Sequence, residues 1–139
     1  MEQDTPMNDG NRPMTVVEAI HARRSVRAFT GRKIGRLAVA ELLAAAVRAP
    51  TAVHEELWAF VVVQDPGLLK RLSDKAKPLF ATQAHLDHGG HGLEAFARED
   101  FNIFYDAGTL IVICGPSTAP FAAADCWLAA ENLMLTASA

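Results

Sequence analysis

The chain has 139 residues, of which 50% are hydrophobic and 21% charged, with a formal net charge of -3. This length fits one domain, and the composition is typical of a packed globular fold rather than a disordered chain. The small negative charge excludes a global basic field that would attract nucleic acid. The longest apolar run, residues 109–114, is too short to span a bilayer. We therefore expect a cytoplasmic protein with neither a nucleic-acid nor a membrane partner.

The chain opens with a polar segment and a helix start signal. Residues 1–14 combine Asp, Asn, Gly and Pro without periodicity and lack the apolar core of a signal peptide. This pattern predicts a flexible leader before a domain at residues 15–139. Thr15 and Glu18 have the spacing of a capping box, which predicts a short helix that runs to about Arg23.

The next segments alternate between turn, helix and strand signals. We expect residues 25–29 to be extended and residues 30–33 to turn the chain. Leucines and alanines at helical spacing predict a second helix over residues 37–48, and Pro50 ends it. The continuous β-rich run at residues 58–63 predicts a strand that is buried on both faces.

A third helix and an ambiguous segment follow. Asp65 as N-cap and Pro66 at the first helical position predict a helix that ends near Pro78. Glycines break the pattern within residues 81–100. Residues 101–105 are aromatic and apolar, and they fit either a short helix or an extended segment.

The last part of the chain is strongly apolar. Residues 109–114 predict a second buried strand, and residues 121–139 predict a long helix that belongs in a core or an interface. Cys114 and Cys126 are expected to be buried free thiols. Helices that alternate with buried strands indicate an α/β or α+β fold with a mixed sheet. Core or interface positions are expected for Phe101, Phe104, Tyr105, Trp127, Leu128, Leu133, Met134 and Leu135.

A basic cluster follows the first helix. Arg23, Arg24, Ser25 and Arg27 place three guanidinium groups and one hydroxyl within five residues. Because a guanidinium presents a fork of donors that matches phosphate oxygens, the cluster is suited to a dianionic phosphate. Taken alone, it is more typical of a solvated basic helix end that the helix dipole favours. The residues alone leave both interpretations open.

A polar turn connects the second helix to the first strand. Pro50, Thr51, Ala52 and His54 lie in this turn, and loops at strand ends commonly build ligand sites on a rigid scaffold. The Thr51 and His54 side chains are suited to donate hydrogen bonds to a polar ligand. Alternatively, they cap backbone groups of the turn itself.

Taken in order, these motifs resemble the FMN-dependent nitroreductase family over about residues 15–139. The basic cluster, written Arg-Arg-Ser-Val-Arg-Ala-Phe, looks like the family's N-terminal phosphate motif, and Ala-Pro-Thr-Ala at residues 49–52 is similar to its Ala-Pro-Ser-Ala. Asp65-Pro66 is similar to the start of the family's next helix. Residues 125–135 resemble its long core helix, Asp-x-x-x-Ala-x-Gln-Asn-Leu.

The resemblance implies a mixed sheet flanked by helices in a homodimer, with FMN at the subunit interface. It implies hydride transfer from NAD(P)H through the flavin to a small-molecule acceptor, such as a nitroaromatic or a quinone, by a ping-pong mechanism. No side chain need act as acid, base or nucleophile, because the flavin carries the chemistry. The implied cofactor-binding residues are Arg23, Arg24, Ser25 and Arg27 at the phosphate, and Pro50, Thr51, Ala52 and His54 on the partner's flavin.

The chain departs from the family pattern at two places. Glu56 stands where the family has a neutral amide; it would lower the flavin's redox potential if it faced the ring, or it faces solvent. The last helix reaches Ala139 without a C-cap glycine or a stop signal, so we expect a domain that is incomplete at its C-terminus. An alternative function is therefore a catalytically incomplete flavin-binding or interaction module with the same core.

One further cluster suggests a metal. His85, His88 and His91 recur at a spacing of three, which on a helix would place neighbouring imidazoles on one face for a metal such as zinc. Gly89 and Gly90 interrupt that helix, and an exposed polar loop explains the same residues. We therefore expect no metal site.

Overall fold

The computed structural model describes residues 12–88, 98 and 100–139, without the side chains of residues 53, 81 and 83–88. Most of the predicted leader, residues 1–11, lies outside these residues. No described helix combines the length and the apolarity that crossing a membrane requires. The elements in chain order are α1 (Val16–Ala22), α2 (Arg36–Ala46), a 3-10 turn (Ala52–His54), β1 (Ala59–Val63), α3 (Pro66–His88), β2 (Leu110–Cys114) and α4 (Ala122–Ser138). Helices alternating with strands confirm the predicted fold class.

Two helix starts have the predicted caps. At α1 the Glu18 carboxylate accepts the Thr15 backbone N–H at 2.7 Å, and the Glu18 N–H donates to the Thr15 hydroxyl at 3.3 Å. The predicted capping box is therefore confirmed. At α3 the Asp65 Oδ1 accepts the Leu68 N–H at 2.7 Å, and Pro66 is the first helical residue, as predicted.

The predicted end of α3 near Pro78 is wrong. The helix contains Pro78 and continues to His88. Proline removes one backbone donor and disfavours a helix interior, but it does not forbid one. Good helix formers flank Pro78, and its carbonyl accepts the Thr82 hydroxyl at 2.9 Å. The local cost is therefore offset by the helical residues on both sides.

The sheet in the described residues consists of β1 and β2, paired antiparallel. Phe60 faces Ile113 across the ladder, and both pack against a cluster of small buried residues. On the opposite face Val61 pairs with Val112, and these side chains are 49% and 36% exposed. The prediction of strands buried on both faces is therefore wrong, because in the described part of the chain only one face is covered.

The predicted burial of the two cysteines is also wrong, whereas their free state is confirmed. Cys114 is exposed at the end of β2, on the same face of the ladder as Val112, and Cys126 is half-buried on α4. Both thiols are free. An apolar sequence context suggested burial, but a strand alternates its side chains, and Cys114 falls on the exposed face.

The core lies between α2, α4 and the covered face of the sheet. Ala46 and Ala129 are completely buried, and Ala49 is 7% exposed. Their small side chains let α2 and α4 approach closely. Across this contact the Asn132 amide on α4 donates to the Ala45 carbonyl at 3.1 Å. The partly buried residues that complete the core are Trp58, Phe60, Ile113 and Leu133.

The outer face of α4 is apolar and exposed. Trp127 is 75% exposed, Leu128 44% and Met134 39%. Trp127 therefore does not belong to the core of this chain, and the interface alternative for this helix stays open. The inner face carries the buried Ala122, Asp125 and Ala129.

Residues 103–106 form a turn within an otherwise irregular segment at residues 100–108, and neither the helix nor the extended alternative for residues 101–105 holds. The Ile103 N–H donates to the Ser73 hydroxyl at 3.1 Å, and Ser73 is only 1% exposed. Phe101 and Tyr105 pack edge to face, with ring centroids 5.8 Å apart. The segment is thus fixed on α3 by a buried side chain rather than by its own secondary structure.

Candidate functional site

The basic cluster begins where α1 ends. Arg23 is the C-cap residue, and its N–H donates to the Ala19 carbonyl at 2.9 Å. The Arg24 Nη1 donates to the carbonyl of Arg23 at 2.9 Å and also to that of His21. Arg24 therefore stabilises the end of the helix, as in the helix-end interpretation. A guanidinium has five N–H donors. Both of these bonds use Nη1 of Arg24, so they leave its Nε and Nη2 donors for another partner.

The remaining members of the cluster are presented on the surface. Ser25 and Arg27 are exposed on the non-helical segment that follows α1. This segment leads to Gly31, which has a φ of 72°. Only glycine adopts this conformation without strain. Residues 30–33 nevertheless form neither a hydrogen-bonded turn nor a bend, so the turn predicted there is wrong. The exposed hydroxyl and guanidinium fit an anion that approaches from outside the chain.

The polar turn is capped by a residue from elsewhere in the chain. Thr51 is the N-cap of the 3-10 turn, yet within the described residues its side chain makes no cap hydrogen bond. The Ala52 N–H donates instead to the Asp125 Oδ1 at 3.1 Å. The Thr51 side chain therefore does not cap the turn, and its role toward a ligand stays a prediction. In the sequence Asp125 stood out only as the first residue of the segment that resembles the family's core helix.

The turn contains unusual backbone conformations. His54 has a φ of 57° and Glu56 a φ of 46°, and both side chains are exposed. Left-handed conformations at residues other than glycine are disfavoured and concentrate at functional sites, where the surroundings hold them. Buried Ala49 before the turn and half-buried Trp58 after it hold the two ends of the turn in the core.

Both predicted site segments are attached to α4. The basic cluster follows α1, which packs against α4, and the polar turn is bonded to Asp125 of α4. Their hydrogen bonds are separate: the cluster bonds to carbonyls of α1, and the turn bonds to α4. One helix therefore supports both segments.

A cleft of about 460 Å³ opens elsewhere, between α3 and residues 100–108. None of the predicted cofactor residues lines it. Two of the carboxylates that line it are paired: Lys70 donates to Asp74 at 2.6 Å, and this bond lowers the pKa of Asp74. Asp100 likewise bonds Arg98, which lowers the pKa of Asp100. The cleft is therefore a separate feature that involves neither predicted site segment.

The side chains of the histidine cluster lie outside the part of the chain that the structure describes. His85 and His88 lie on α3 without described side chains, and His91 is outside the described residues. Among the residues with described side chains, no group of three His, Cys, Asp or Glu residues is arranged to hold a metal ion.

The sequence matches the family model described as the Nitroreductase family over residues 20–139. This match includes both the basic cluster and the polar turn. The chain belongs to the nitroreductase family. The resemblance noted from the motifs is therefore confirmed, and the family fold agrees with the observed order of elements.

Individual nitroreductase-family relatives support the assignment. A Methanothermobacter thermautotrophicus protein with the provisional name NADH dehydrogenase/NAD(P)H nitroreductase is 28% identical over 128 residues, which are 89% of this chain and 56% of the relative. A Bacteroides fragilis nitroreductase, solved with bound FMN, superimposes with a TM-score of 0.77 at 32% identity, covering 88% of this chain and 64% of that one. Pig iodotyrosine deiodinase 1 is 35% identical over 57 residues, which are 41% of this chain and 20% of the deiodinase. The chain thus spans less than two thirds of the length of each.

Proposed function

We propose that this chain is part of an FMN-dependent oxidoreductase that takes hydride from NAD(P)H. The observation that carries this proposal is the family match over residues 20–139, which contains both predicted cofactor segments. A related nitroreductase holds FMN in its solved structure. The FMN requirement, the reductant and the acceptor are therefore proposed for this chain from its relatives and from its own donor groups.

The donor set of the basic cluster fits the FMN phosphate. Ser25 and Arg27 are exposed, and Arg24 has donors beyond those that cap α1. A doubly charged phosphate is best held by several charge-assisted hydrogen bonds of this kind. We assign Arg23, Arg24, Ser25 and Arg27 to the phosphate.

The polar turn fits the flavin ring. The Thr51 hydroxyl is half-buried and is not used as a cap, so it is suited to bond a polar atom of the ring. His54 lies exposed in a left-handed conformation beside it. We assign Pro50 and Ala52, which flank Thr51 in the turn, to contacts with the flavin ring. When bound, FMN supplies the hydride-transfer chemistry, in a ping-pong reaction with NAD(P)H and then the acceptor, while the chain's own residues bind and orient it.

The proposal includes a homodimer. The outer face of α4 exposes Trp127, Leu128 and Met134, an apolar surface that favours association in water. A partner copy that covers α4 would lie close to both site segments, because α1 and the polar turn adjoin this helix. The turn of one copy is thereby available to the flavin of the other.

Comparing FMN with riboflavin tests the phosphate assignment. We expect Arg27→Ala to weaken FMN binding by about tenfold or more, because one charge-assisted bond is lost. Riboflavin has no phosphate, so its affinity should not change. Arg71→Ala removes an exposed arginine from α3, outside the assigned site, and serves as the matched control. Equal losses for FMN and riboflavin, or no loss in Arg27→Ala, would contradict the assignment.

Turnover with different acceptors tests the reaction. Nitroaromatics and quinones are the proposed acceptors, and 3-iodotyrosine belongs in the same assay because a deiodinase is among the relatives. A chain that binds FMN but consumes no NAD(P)H with any acceptor would support the alternative of a flavin-binding module without catalysis. A chain that does not bind FMN would contradict the proposal as a whole.

A further inference from the structure

The polar turn is positioned by a buried carboxylate that lies far away in the sequence. Asp125 is separated from Ala52 by 73 residues, and it is 8% exposed. Its own N–H donates to the Phe121 carbonyl at 3.0 Å, in the first turn of α4. The positive end of the helix dipole lies at this first turn and stabilises a carboxylate there. The backbone of Asp125 is thus held by α4, and the helix dipole stabilises the carboxylate that accepts the Ala52 N–H.

The usual arrangement at such a turn is local. A threonine at the N-cap normally accepts an N–H of the following turn through its own hydroxyl. Here the Thr51 side chain makes no cap bond within the described residues, and Asp125 instead accepts the N–H of Ala52, the first residue of the 3-10 turn. Consequently the Thr51 hydroxyl is left to interact with something other than its own backbone.

The turn is also strained, and strain needs support. His54 and Glu56 have positive φ values of 57° and 46°. Ala49 and Trp58 hold the ends of the turn in the core, and Asp125 holds its middle. Asn132 bonds the same helix to the end of α2, so α4 is itself fixed relative to the start of the turn. Without Asp125, the strained residues would lose their central support.

We propose that Asp125 is the positioning residue of the polar turn. It accepts the Ala52 N–H and thereby anchors the turn to α4, so that the Thr51 hydroxyl, which makes no cap bond, is held in place for the bound ligand. The second half of this inference rests on the proposed function, in which that ligand is the flavin. The first half concerns the chain alone.

Amide hydrogen exchange of Ala52 in the flavin-free protein tests the first half. We expect Asp125→Ala to accelerate this exchange by about fivefold or more, the loss of one cap bond. Asp125→Asn keeps a side-chain acceptor and should retain most of the protection. Thr51→Ala should leave the exchange unchanged, because Thr51 is not the cap. Glu131→Ala, an exposed carboxylate on the same helix, is the matched control.

Flavin titration of the same variants tests the second half. Both Asp125→Ala and Thr51→Ala should weaken FMN and riboflavin equally, by about fivefold or more for one hydrogen bond. Thr51→Ser should restore binding, because it restores the hydroxyl. Should Asp125→Ala fail to fold, Asp125→Asn together with Thr51→Ala and Thr51→Ser still tests whether the Thr51 hydroxyl binds the flavin.

The outcomes separate this inference from the proposed function. If Thr51→Ala accelerates the exchange of Ala52 as much as the loss of Asp125 does, Thr51 is the cap and the inference is overturned. If Thr51→Ala and Thr51→Ser both bind flavin like the wild type, the hydroxyl has no ligand role. If the wild type binds no flavin at all, the proposed function fails, whereas the exchange data still judge the positioning role of Asp125.

Discussion

Replacing Gly108 by alanine should destabilise the protein strongly. A Cβ built at Gly108 lies 2.3 Å from the Gly31 carbonyl oxygen and 2.6 Å from the Arg32 carbonyl carbon. These are backbone atoms, which cannot rotate away as a flexible side chain would. The segment at residues 31–34 must therefore move away from Gly108 or the turn before β2 must shift.

The size of the effect follows from what such a shift breaks. Overpacking of this kind costs about 1–3 kcal/mol. The same contact carries hydrogen bonds to Ile34: its N–H donates to the Thr109 hydroxyl at 3.2 Å, and its carbonyl accepts the Gln64 amide at 2.9 Å. Losing either bond adds about 1 kcal/mol. We therefore expect Gly108→Ala to lower the free energy of unfolding by about 2–4 kcal/mol.

Urea unfolding measures this difference, and Gly35 provides the control. Gly35 is the N-cap of α2, its backbone is extended, and nothing lies within 4 Å of an added Cβ. Gly35→Ser adds a larger group than Gly108→Ala, yet it should be neutral or stabilise by a few tenths of a kcal/mol, because serine is a better N-cap. A loss below about 1 kcal/mol for Gly108→Ala would refute the close approach, since it is less than the ordinary cost of overpacking.

Three further perturbations test other parts of the structure. The bonds from Thr15 lower the pKa of Glu18 from 4.5 to about 2, so the free energy of unfolding should fall as the pH drops from about 4.5 to about 2. In pH-dependent unfolding, Glu18→Gln should show a smaller loss of stability over this pH range, because it removes the titrating carboxylate. Ser73→Ala leaves the Ile103 N–H without its acceptor and should cost about 1–3 kcal/mol, whereas Ser138→Ala should change stability by less than about 0.5 kcal/mol in the same urea assay. Trp127→Lys should turn a dimer into a folded monomer in light scattering, because Trp127 is 75% exposed in the single chain; an unchanged mass would place the interface elsewhere.

Local signals predicted the fold well where the interaction is local. The capping box of Thr15 and Glu18 and the start of α3 at Asp65 each depend on residues three positions apart. Sequence spacing shows such contacts directly.

The failures concern interactions that the linear sequence does not show. The burial of Val61 and Val112 depends on whether another layer covers the sheet, and an apolar strand looks the same in either case. Pro78 was expected to end α3, but the helical residues around it outweigh one missing donor. Boundaries of this kind are decided by the sum of many small terms.

In the candidate site, too, the sequence showed local features but not the contacts between distant residues. The basic cluster and the polar turn were recognised from their residues, because guanidinium and hydroxyl groups are identified by type. The bond from Asp125 to Ala52 spans 73 residues and could not be foreseen from spacing. The sequence placed Asp125 at the start of the segment that resembles the family's core helix, but it did not show which group this carboxylate binds.

The visible absorbance spectrum of the purified protein, with FMN added and then with anaerobic NADH or NADPH, tests the central claim most directly. We expect a protein-bound flavin band that co-elutes with the chain and disappears when the reductant is added. A flavin that elutes freely would contradict FMN binding by this chain. A bound flavin that neither NADH nor NADPH reduces would contradict the proposed reaction, and only the binding of FMN would then be supported.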